Sequence, residues 1–554
     1  MTSFVLRGVT DHFQVYFRDD LGSPGQDVAD HILAACETDY SFLQSVFGGL
    51  TPPGIPFQIR VFPAGSIGGA SHSGCSSTSI IVDAVLGDTY RSVLLAVASE
   101  VAEVLMAAAG TGWDCSASHG EALSRVLGAI LYPHDIDGDA TAKLWLASNR
   151  DDWVTRNFPS DGDKTSIGCG SLFLSYLRYQ CQYGWDQITQ ARATTLSSVY
   201  FDVGTNIKPI PRSGDAFEPF AGLIRRAYTA SASFDKDAGM DNPFPLTPDI
   251  LFYDPENDEI ELTSVAATGD DIERIALFPA GGHTPHWWTD IVAGSFTDTV
   301  LSDLVLYDRH TGTTEIRSAD GTGAFTLLYT TTLGVDIASY NDNRSRIVPG
   351  RFSRDGAYSG LVVYEPAHQR GYLLQPRGNG DFRGFGPDHL GWRSTWQRIA
   401  AGNFTRGSSL SDLLFYDLNS EVIEMYSSNG DGTFRWLCGQ SEQPGASWQV
   451  IVPCNFTGGQ LSDLLLYSAF TNKLEFRTTD GYGNWRTLTT YSDFPPCTDI
   501  VTLGFGLLLC YNRDAGEGRF YSVNSDGAAR FITSHLGWRK TWTKIIAGHF
   551  VEWR

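Results

Sequence analysis

One five-residue phrase, an apolar run that ends in tyrosine, recurs six times after residue 245. Its copies end at Tyr253, Tyr307, Tyr364, Tyr416, Tyr467 and Tyr511. The spacings between these tyrosines run from 44 to 57 residues. Internal repeats of this length indicate similar structural units, each of which buries its apolar face only against its neighbours. The repeat therefore constrains the fold of more than half of the chain.

Each unit carries the pattern of four short strands. An Ile-x-x-Gly-x-Phe strand comes before the tyrosine phrase, as at 291–296 and 399–404. An alternating strand such as 421–426, a Gly/Asn/Asp turn and a short strand with an aromatic residue follow it. Gly and Asn tolerate the positive φ of tight hairpins. Four-stranded units repeated around an axis form a β-propeller with few open edges, so we predict an all-β six-bladed propeller at 247–554.

The phase of the repeat predicts how the propeller closes. The first unit begins at Asp249 without an Ile-x-x-Gly-x-Phe strand, and an extra copy at 545–550 follows the last unit. We expect this C-terminal strand to complete the first blade, because a sheet edge left open there would be unpaired. Removal of residues 541–554 should then open the ring.

These repeats resemble the FG-GAP or VCBS class of propeller repeats, which occurs in integrin-like heads and sugar-binding propellers. Calcium-binding members carry Asp-x-Asp-x-Asp-Gly before the apolar phrase, whereas the loops 297–302 and 405–411 hold at most one carboxylate. Calcium takes six to eight oxygen ligands, so we expect no calcium in the blades. No other pattern in the chain leads us to expect a metal or a cofactor. The aspartate that begins most copies of the phrase is predicted to accept hydrogen bonds from turn amides.

Two units end in Leu-Gly-Trp-Arg-x-Thr-Trp. Exposed tryptophan beside arginine suits stacking on a sugar ring and hydrogen bonding to its hydroxyls. Trp392, Arg393, Trp538 and Arg539 are therefore the candidate ligand-binding residues. The alternative is that the tryptophans pack adjacent blades together, since the second tryptophan of the motif recurs at the same phase in other units.

Composition limits the partners. The formal net charge is −23 and the pI is near 4.8, and such a surface repels nucleic acid and anionic membranes. Residues 1–20 hold no apolar signal segment, and the nine cysteines include no Cys-x-x-Cys pair. We expect no nucleic-acid or membrane partner, and reduced thiols in a cytoplasmic protein. No residue pattern indicates an oligomeric state.

Residues 1–230 lack the repeat and change to helical periodicity. Strands are predicted at 57–62 and 79–83, on either side of a Gly/Ser-rich loop, and a helix at 92–109. Past its first residue this helix is apolar on all sides apart from Ser99, Glu100 and Glu103, which indicates burial. Buried carboxylates cost on the order of several kcal/mol unless they are paired, protonated or metal-bound. The helix is therefore the candidate functional element.

Ser99 and Glu103 lie four residues apart, on one face of this helix, beside Glu100. In a His-Glu-x-x-His metallopeptidase these positions hold two zinc ligands and the general base. Glu121 follows at about the spacing of the third ligand in gluzincins, so residues 55–185 resemble a gluzincin core. The resemblance implies an α+β metallopeptidase-like domain. Because both histidines are replaced and Ser/Glu/Glu is a poor zinc set, a degenerate, metal-free site is expected.

Three roles are open for these carboxylates. Arg125, one turn after Glu121, can neutralise Glu103 or Glu121 in a structural ion cluster. The pocket can instead carry acid/base chemistry through Glu100, Glu103, Glu121 or His119, since crowded carboxylates have split pKa values. Residual metal binding is the third role.

Two functions follow for this multidomain chain. In the first, a pseudo-metallopeptidase scaffold at 1–230 is joined by a linker at 231–246 to a lectin-like propeller that binds carbohydrate or another small molecule. In the second, the chain is a metal-independent enzyme. Its carboxylate pocket then acts on a small-molecule substrate, and the propeller covers or supports the site.

Overall fold

The computed structural model describes residues 3–552 with gaps at 68, 85–89, 133–141, 207–214, 228–243, 245, 267–268, 270–271, 282–287, 300, 334–345, 355–357, 407–409, 443–446, 458–460 and 505. The linker predicted at 231–246 lies outside the described residues except for Phe244 and Leu246. Both of these side chains pack into the core of the N-terminal half.

The N-terminal half is an α+β domain on a five-stranded sheet. The strands are β1 (Phe4–Val9), β2 (Phe13–Arg18), β3 (Phe57–Pro63), β4 (Ala70–His72) and β5 (Ser79–Ala84). Their spatial order is β1-β2-β3-β5-β4, in which β2, β3 and β5 are parallel and the two edge strands are antiparallel. The predicted strands β3 and β5 are confirmed, whereas β1 and β2 were not predicted.

Helices pack on this sheet and on one another. They are α1 (Gly22–Val46), α2 (Tyr90–Ala109), α3 (Ser118–Leu131), α4 (Ala142–Leu146), α5 (Lys164–Ser175), α6 (Trp185–Gln190), α7 (Leu196–Asn206) and α8 (Phe217–Ala227). A π-helical turn, Tyr176–Gln180, extends α5. By length and composition α2 could cross a membrane, but here it is the central helix of the domain and packs against α1, α3, β4 and β5.

Small residues let the central helices approach closely. A Cβ at Gly128 of α3 would lie 2.5 Å from Ser99 Oγ of α2. A Cβ at Gly170 of α5 would lie 2.7 Å from Ala122 Cβ of α3. Larger residues at either glycine would force the helices apart. This close packing holds the glutamates of α2 against the first turns of α3.

The rest of the chain forms six four-stranded antiparallel sheets within the described residues. The first blade is β29 (Lys544–Gly548), β6 (Asp249–Asp254), β7 (Glu259–Val265) and β8 (Ile272–Pro279). The second is β9 (Asp290–Gly294), β10 (Asp303–Tyr307), β11 (Thr313–Ala319) and β12 (Phe325–Thr332). The third is β13 (Arg346–Gly350), β14 (Gly360–Glu365), β15 (Arg370–Pro376) and β16 (Phe382–Leu390).

The remaining three blades repeat the same order. The fourth is β17 (Arg398–Gly402), β18 (Asp412–Asp417), β19 (Val422–Ser428) and β20 (Phe434–Ser441). The fifth is β21 (Val450–Cys454), β22 (Asp463–Ser468), β23 (Lys473–Thr479) and β24 (Trp485–Tyr491). The sixth is β25 (Asp499–Thr502), β26 (Leu507–Asn512), β27 (Glu517–Val523) and β28 (Ala529–Leu536). The first strands of the blades contact one another in a closed circle, so the predicted six-bladed propeller is confirmed.

The C-terminal strand closes the ring as the repeat phase predicts. β29 pairs antiparallel with β6, the first strand of the propeller in sequence. Trp542 stacks on Phe252 with ring centroids 4.0 Å apart. Phe550 is fully buried, and its N–H donates to Asp249 Oδ2 at 2.8 Å. The first blade therefore contains both ends of the repeat region.

An aspartate at the start of the second strand organises the preceding turn in most blades. Asp303 Oδ2 accepts hydrogen bonds from the N–H groups of Phe296 and Thr297, both at 2.8 Å. Equivalent bonds reach Asp249, Asp412 and Asp463. The predicted amide-binding role of these aspartates is confirmed.

Candidate functional site

The glutamates predicted on α2 lie against a buried imidazole from the edge strand β4. His72 Nε2 is 3.1 Å from Glu103 Oε2 and 3.5 Å from Glu100 Oε2. The His72 side chain is only 3 % exposed, and neither ring nitrogen makes an aligned hydrogen bond to any described residue. The edge strand thus brings a potential cation to two carboxylates that would otherwise repel each other.

The next helix, α3, adds a second cation and a hydroxyl group. Arg125 Nε donates to Glu121 Oε1 at 2.5 Å, across one helical turn. Ser124 Oγ donates to Glu103 Oε1 at 3.0 Å. Of the two pairings open for Arg125, with Glu103 or with Glu121, the structure shows the one with Glu121. We call His72, Glu100, Glu103, Glu121 and Arg125 the glutamate cluster: it sets three carboxylates against two basic side chains.

Crowding and burial shift the pKa values of the cluster upward. Burial, reinforced by the charge of Glu103, raises the pKa of Glu100 to about 8. Burial also raises the pKa of Glu121 to about 7, although Arg125 opposes the shift. For His72, burial disfavours the charged ring, but the contacts with Glu103 and Glu100 outweigh it and raise the pKa. At neutral pH Glu100 therefore keeps a proton, and His72 holds its own proton to a higher pH than a free imidazole would.

Two polar residues predicted with these glutamates are placed apart from them. Ser99 Oγ faces Gly128 of α3 and lacks a hydrogen-bond partner among the described residues. His119 stacks on Trp113 with ring centroids 5.7 Å apart, and its Nε2 lies 3.4 Å from the carbonyl oxygen of Gly112. Burial lowers the pKa of His119. This environment gives no support to the acid/base role predicted for His119.

The zinc set implied by the gluzincin resemblance does not fit the residues present. Ser99 packs against α3, Glu103 contacts His72 and accepts a hydrogen bond from Ser124, and Glu121 is paired with Arg125. Zinc needs imidazole, thiolate or carboxylate donors that converge on one point. A buried serine and two carboxylates already paired with basic groups do not provide such a set.

The prediction of reduced thiols is wrong for four of the cysteines. Cys75 is bonded to Cys115, and Cys497 is bonded to Cys510. The first disulfide connects the loop after β4 with the turn before α3, beside the glutamate cluster. Disulfides of this kind are typical of oxidising compartments. The cytoplasmic location expected from reduced thiols stays a prediction.

The two candidate tryptophans of the propeller are packed between blades. Trp392 is 7 % exposed and lies on Gly371, where a Cβ would come within 2.0 Å of the ring. Trp538 lies on Gly518 in the same way, with the ring 2.3 Å from a Cβ built there. The exposure assumed for sugar stacking is therefore not found for Trp392, and the blade-packing alternative describes both residues.

The neighbouring arginines are held in ion pairs at the same junctions. Arg393 donates to Glu424 of the next blade and lies 5.1 Å over the ring of Trp396. Arg539 contacts Glu259 at 2.5 Å and Asp254 at 3.2 Å. Both arginines thus connect the last strand of one blade to the blade that follows. The two guanidinium groups that were predicted to bind sugar hydroxyls are therefore already paired with carboxylates of the protein.

We expect Gly371→Ala to destabilise the propeller by about 1–3 kcal/mol, because the added methyl group would overlap the indole of Trp392. Chemical denaturation monitored by tryptophan fluorescence measures the change. The matched control is Gly384→Ala in β16 of the same blade, where a Cβ would meet no atom within 4 Å. Equal destabilisation by both variants would contradict the packing role of Trp392.

Two cavities are formed jointly by the N-terminal domain and the propeller. One, of ≈ 540 Å³, follows the propeller axis and is lined by the first strands of the blades together with Tyr179 and Phe244. The other, of ≈ 640 Å³, lies between α1, α2 and the fifth blade. At its edge the Arg406 guanidinium lies 4.8 Å over the ring of Tyr132 and donates to the Leu131 carbonyl. Both volumes suit small-molecule ligands.

No protein-family model and no curated protein matches this chain. A putative 6-phosphogluconolactonase from Bacteroides uniformis is 11 % identical, with a TM-score of 0.38, over 57 % of this chain and 89 % of that one. The periplasmic gluconolactonase of Pseudomonas aeruginosa is 10 % identical, with a TM-score of 0.37, over 52 % and 79 %. An Agrocybe aegerita lectin that recognises non-reducing terminal N-acetylglucosamine is 15 % identical, with a TM-score of 0.34, over 53 % and 78 %. Similarity at this level carries no argument about function, and the propeller assignment rests on its own strand order.

Proposed function

We propose that residues 1–230 form a metal-independent acid/base enzyme domain that acts on a small polar molecule. The observation that carries the proposal is the packing of three largely buried carboxylates around His72 and Arg125. Three carboxylates face two basic side chains, and the pKa of Glu100 is raised to about 8. A group whose pKa lies close to the working pH can both donate and accept a proton during a reaction.

The exposure of the side chains suggests how the roles are divided. Glu100 and Glu121 are each 14 % exposed, whereas Glu103 is 9 % and His72 is 3 % exposed. We assign the acid to Glu100 and the base to Glu121, which are the more exposed carboxylates of the cluster. Glu103 and His72 form the more buried pair, and their charges stabilise the protonation states of Glu100 and Glu121. An acid and a base side by side suffice for isomerisation or elimination next to a carbonyl group.

The gluzincin resemblance is part of this proposal. In our interpretation the imidazolium of His72 and the guanidinium of Arg125 replace the positive charge that zinc supplies in a gluzincin. The support is the chain order of an edge strand, a buried helix with Glu100, a turn, and a second helix with Glu121. Burying carboxylates is costly unless cations compensate them, and two nearby basic side chains meet that need.

The propeller, residues 247–554, has a binding role in this proposal. Its axial cavity of ≈ 540 Å³ has mainly apolar walls, and a carbohydrate or another small molecule of suitable size could occupy it. A lectin-like function of the propeller is the second candidate, and that cavity is the observation in its favour. Trp392 and Trp538 do not contribute to it, because both pack between blades.

The test is a turnover screen with lactones, keto and aldo sugars, and hydroxy acids, followed by mass spectrometry. We expect the parent to convert at least one compound, and Glu100→Gln to lower the rate by about 100-fold or more because the amide cannot transfer a proton. The control is Glu37→Gln, which removes a carboxylate from an exposed pair with His12 outside the cluster. Turnover that Glu100→Gln leaves unchanged would refute the enzyme proposal. Oligosaccharide binding without turnover would favour the lectin-like function instead.

A further inference from the structure

The disulfide beside the glutamate cluster places a sulfur next to two metal-binding side chains. The donor atoms of His72, Glu103 and Cys115 all lie within 4.8 Å of one another. Imidazole, carboxylate and thiolate are the three donor types that zinc prefers. In the oxidised protein Cys115 is not available as a ligand, because its sulfur is bonded to Cys75.

We propose that reduction of the Cys75–Cys115 disulfide creates a zinc site formed by His72, Glu103 and Cys115. This site shares only Glu103 with the gluzincin positions. The inference concerns metal content and does not depend on a reaction at the glutamate cluster. It adds a redox-controlled binding state to the N-terminal domain.

The state of His72 is the independent observation that points to a ligand. Its side chain is only 3 % exposed, yet neither ring nitrogen has an aligned hydrogen bond among the described residues. Nε2 faces Glu103 Oε2 at 3.1 Å. A metal ion coordinated by Nε2 would take the place of the proton through which the ring faces the Glu103 carboxylate.

The geometry requires a small movement only. Donors around a tetrahedral zinc ion lie roughly 3.5 Å apart, given metal–ligand distances of about 2.0–2.3 Å. The observed separations of at most 4.8 Å shorten to this range if Cys115 rotates toward His72 once it is free of Cys75. Glu100, whose Oε2 is 3.5 Å from His72 Nε2, or a water molecule can complete the set.

The chemistry balances with a thiol or phosphine reductant. Two electrons and two protons from two reductant thiols convert the disulfide to two cysteine thiols, and the reductant becomes a disulfide. With a phosphine, water supplies the two protons and the oxygen, and the phosphine becomes a phosphine oxide. Zinc then displaces the proton of the Cys115 thiol and the proton on His72 Nε2, and both protons pass to the solvent. The thiol of Cys75 is not needed as a ligand. That asymmetry between the two cysteines is the basis of the test.

The experiment compares Cys75→Ser with Cys115→Ser in the full chain. Both variants remove the disulfide, but only Cys75→Ser keeps the proposed thiolate ligand. After equilibration with zinc and desalting, we expect about one zinc per chain in Cys75→Ser and in the phosphine-reduced parent, as for a single tetrahedral site. We expect none in Cys115→Ser or in the oxidised parent. Cobalt substitution of Cys75→Ser should give a thiolate charge-transfer band in the near ultraviolet.

This design also distinguishes zinc binding at the proposed site from binding by a second group of ligands and from a failure to fold. Cys75, Asp114 and Cys115 also lie close enough to hold a metal ion, but Cys75→Ser destroys that set. Adding His72→Gln to Cys75→Ser should weaken zinc binding at least about tenfold. The proposal is overturned if the two serine variants bind equal zinc, or if the reduced parent, folded by circular dichroism, binds none.

Discussion

A chain that ends before residue 541 should lose the folded propeller. This truncation removes β29, which pairs with β6 and completes the first blade. It also removes Trp542 and Phe550, which are 4 % and 0 % exposed. Loss of a buried aromatic side chain costs about 3–5 kcal/mol, so two such losses approach the entire stability of a domain, about 5–15 kcal/mol. We expect near-ultraviolet circular dichroism of the propeller to vanish and protease sensitivity to rise.

The control for this truncation is a chain that ends at Glu552. It keeps β29, the buried Phe550 and the hydrogen bond from the Phe550 N–H to Asp249. We expect it to unfold at the temperature of the parent. A chain ending before 541 that melts like this control would disprove closure by the C-terminal strand. The exposed edge of β6, whose residues are buried in the intact blade, should also make the shorter chain aggregate.

The propeller was predictable because its determinants are local and repeated. The apolar phrase fixes the second strand of each blade, and the phase of the Ile-x-x-Gly-x-Phe strand reveals the closure. The hydrogen bonds to Asp303 and its equivalents were predictable from the same repeat. Each of these aspartates follows closely in sequence the turn whose N–H groups donate to it. Sequence-local features of this kind leave a pattern in the chain itself.

The sequence also contains a pattern that indicates the burial of Trp392 and Trp538, namely a glycine at one position of the same blade. In the third and sixth blades, Gly371 and Gly518 pair with the repeated Tyr364 and Tyr511. In the other four blades the residue at this position is Ile260, Thr314, Ile423 or Leu474. Glycine therefore occurs only in the two blades whose last strand is followed by Leu-Gly-Trp-Arg. The missing Cβ makes room for the indole, so glycine and tryptophan together predict packing.

The N-terminal cluster was predictable only in part. The hydrophobic periodicity predicted that Glu100 and Glu103 lie on one buried helix. The spacing along the chain predicted that Glu121 and Arg125 lie on the next helix. His72 lies on a strand of three residues in a Gly/Ser-rich stretch, where neither helical nor strand periodicity can be recognised. Its approach to Glu103 depends on how the edge strand β4 pairs with β5. Such a contact is set by tertiary packing and leaves no local signature.

We expect Glu100→Gln to stabilise the N-terminal domain at high pH and to have little effect at low pH. The pKa of Glu100 is raised from 4.5 to about 8, so the folded protein holds a proton that the unfolded chain releases in this range. The free energy of unfolding therefore falls as the pH rises from about 4.5 to 8. Each unit of difference is worth about 1.4 kcal/mol. Glutamine does not ionise, so the variant should be more stable by up to about 5 kcal/mol at pH 8.5.

Thermal unfolding at pH 4.5 and pH 8.5 measures this effect. His72 contributes with the same sign, since its raised pKa gives stability that is present below the unfolded value and is lost as the pH rises. The variant should therefore reduce the pH dependence without abolishing it. Glu37→Gln is the matched control: the pKa of Glu37 is lowered beside His12, so its loss should slightly destabilise the protein above about pH 4.5. If Glu100→Gln lowered stability at pH 8.5, Glu100 would be an ionised partner of His72, and the retained proton that the acid/base proposal requires would not exist.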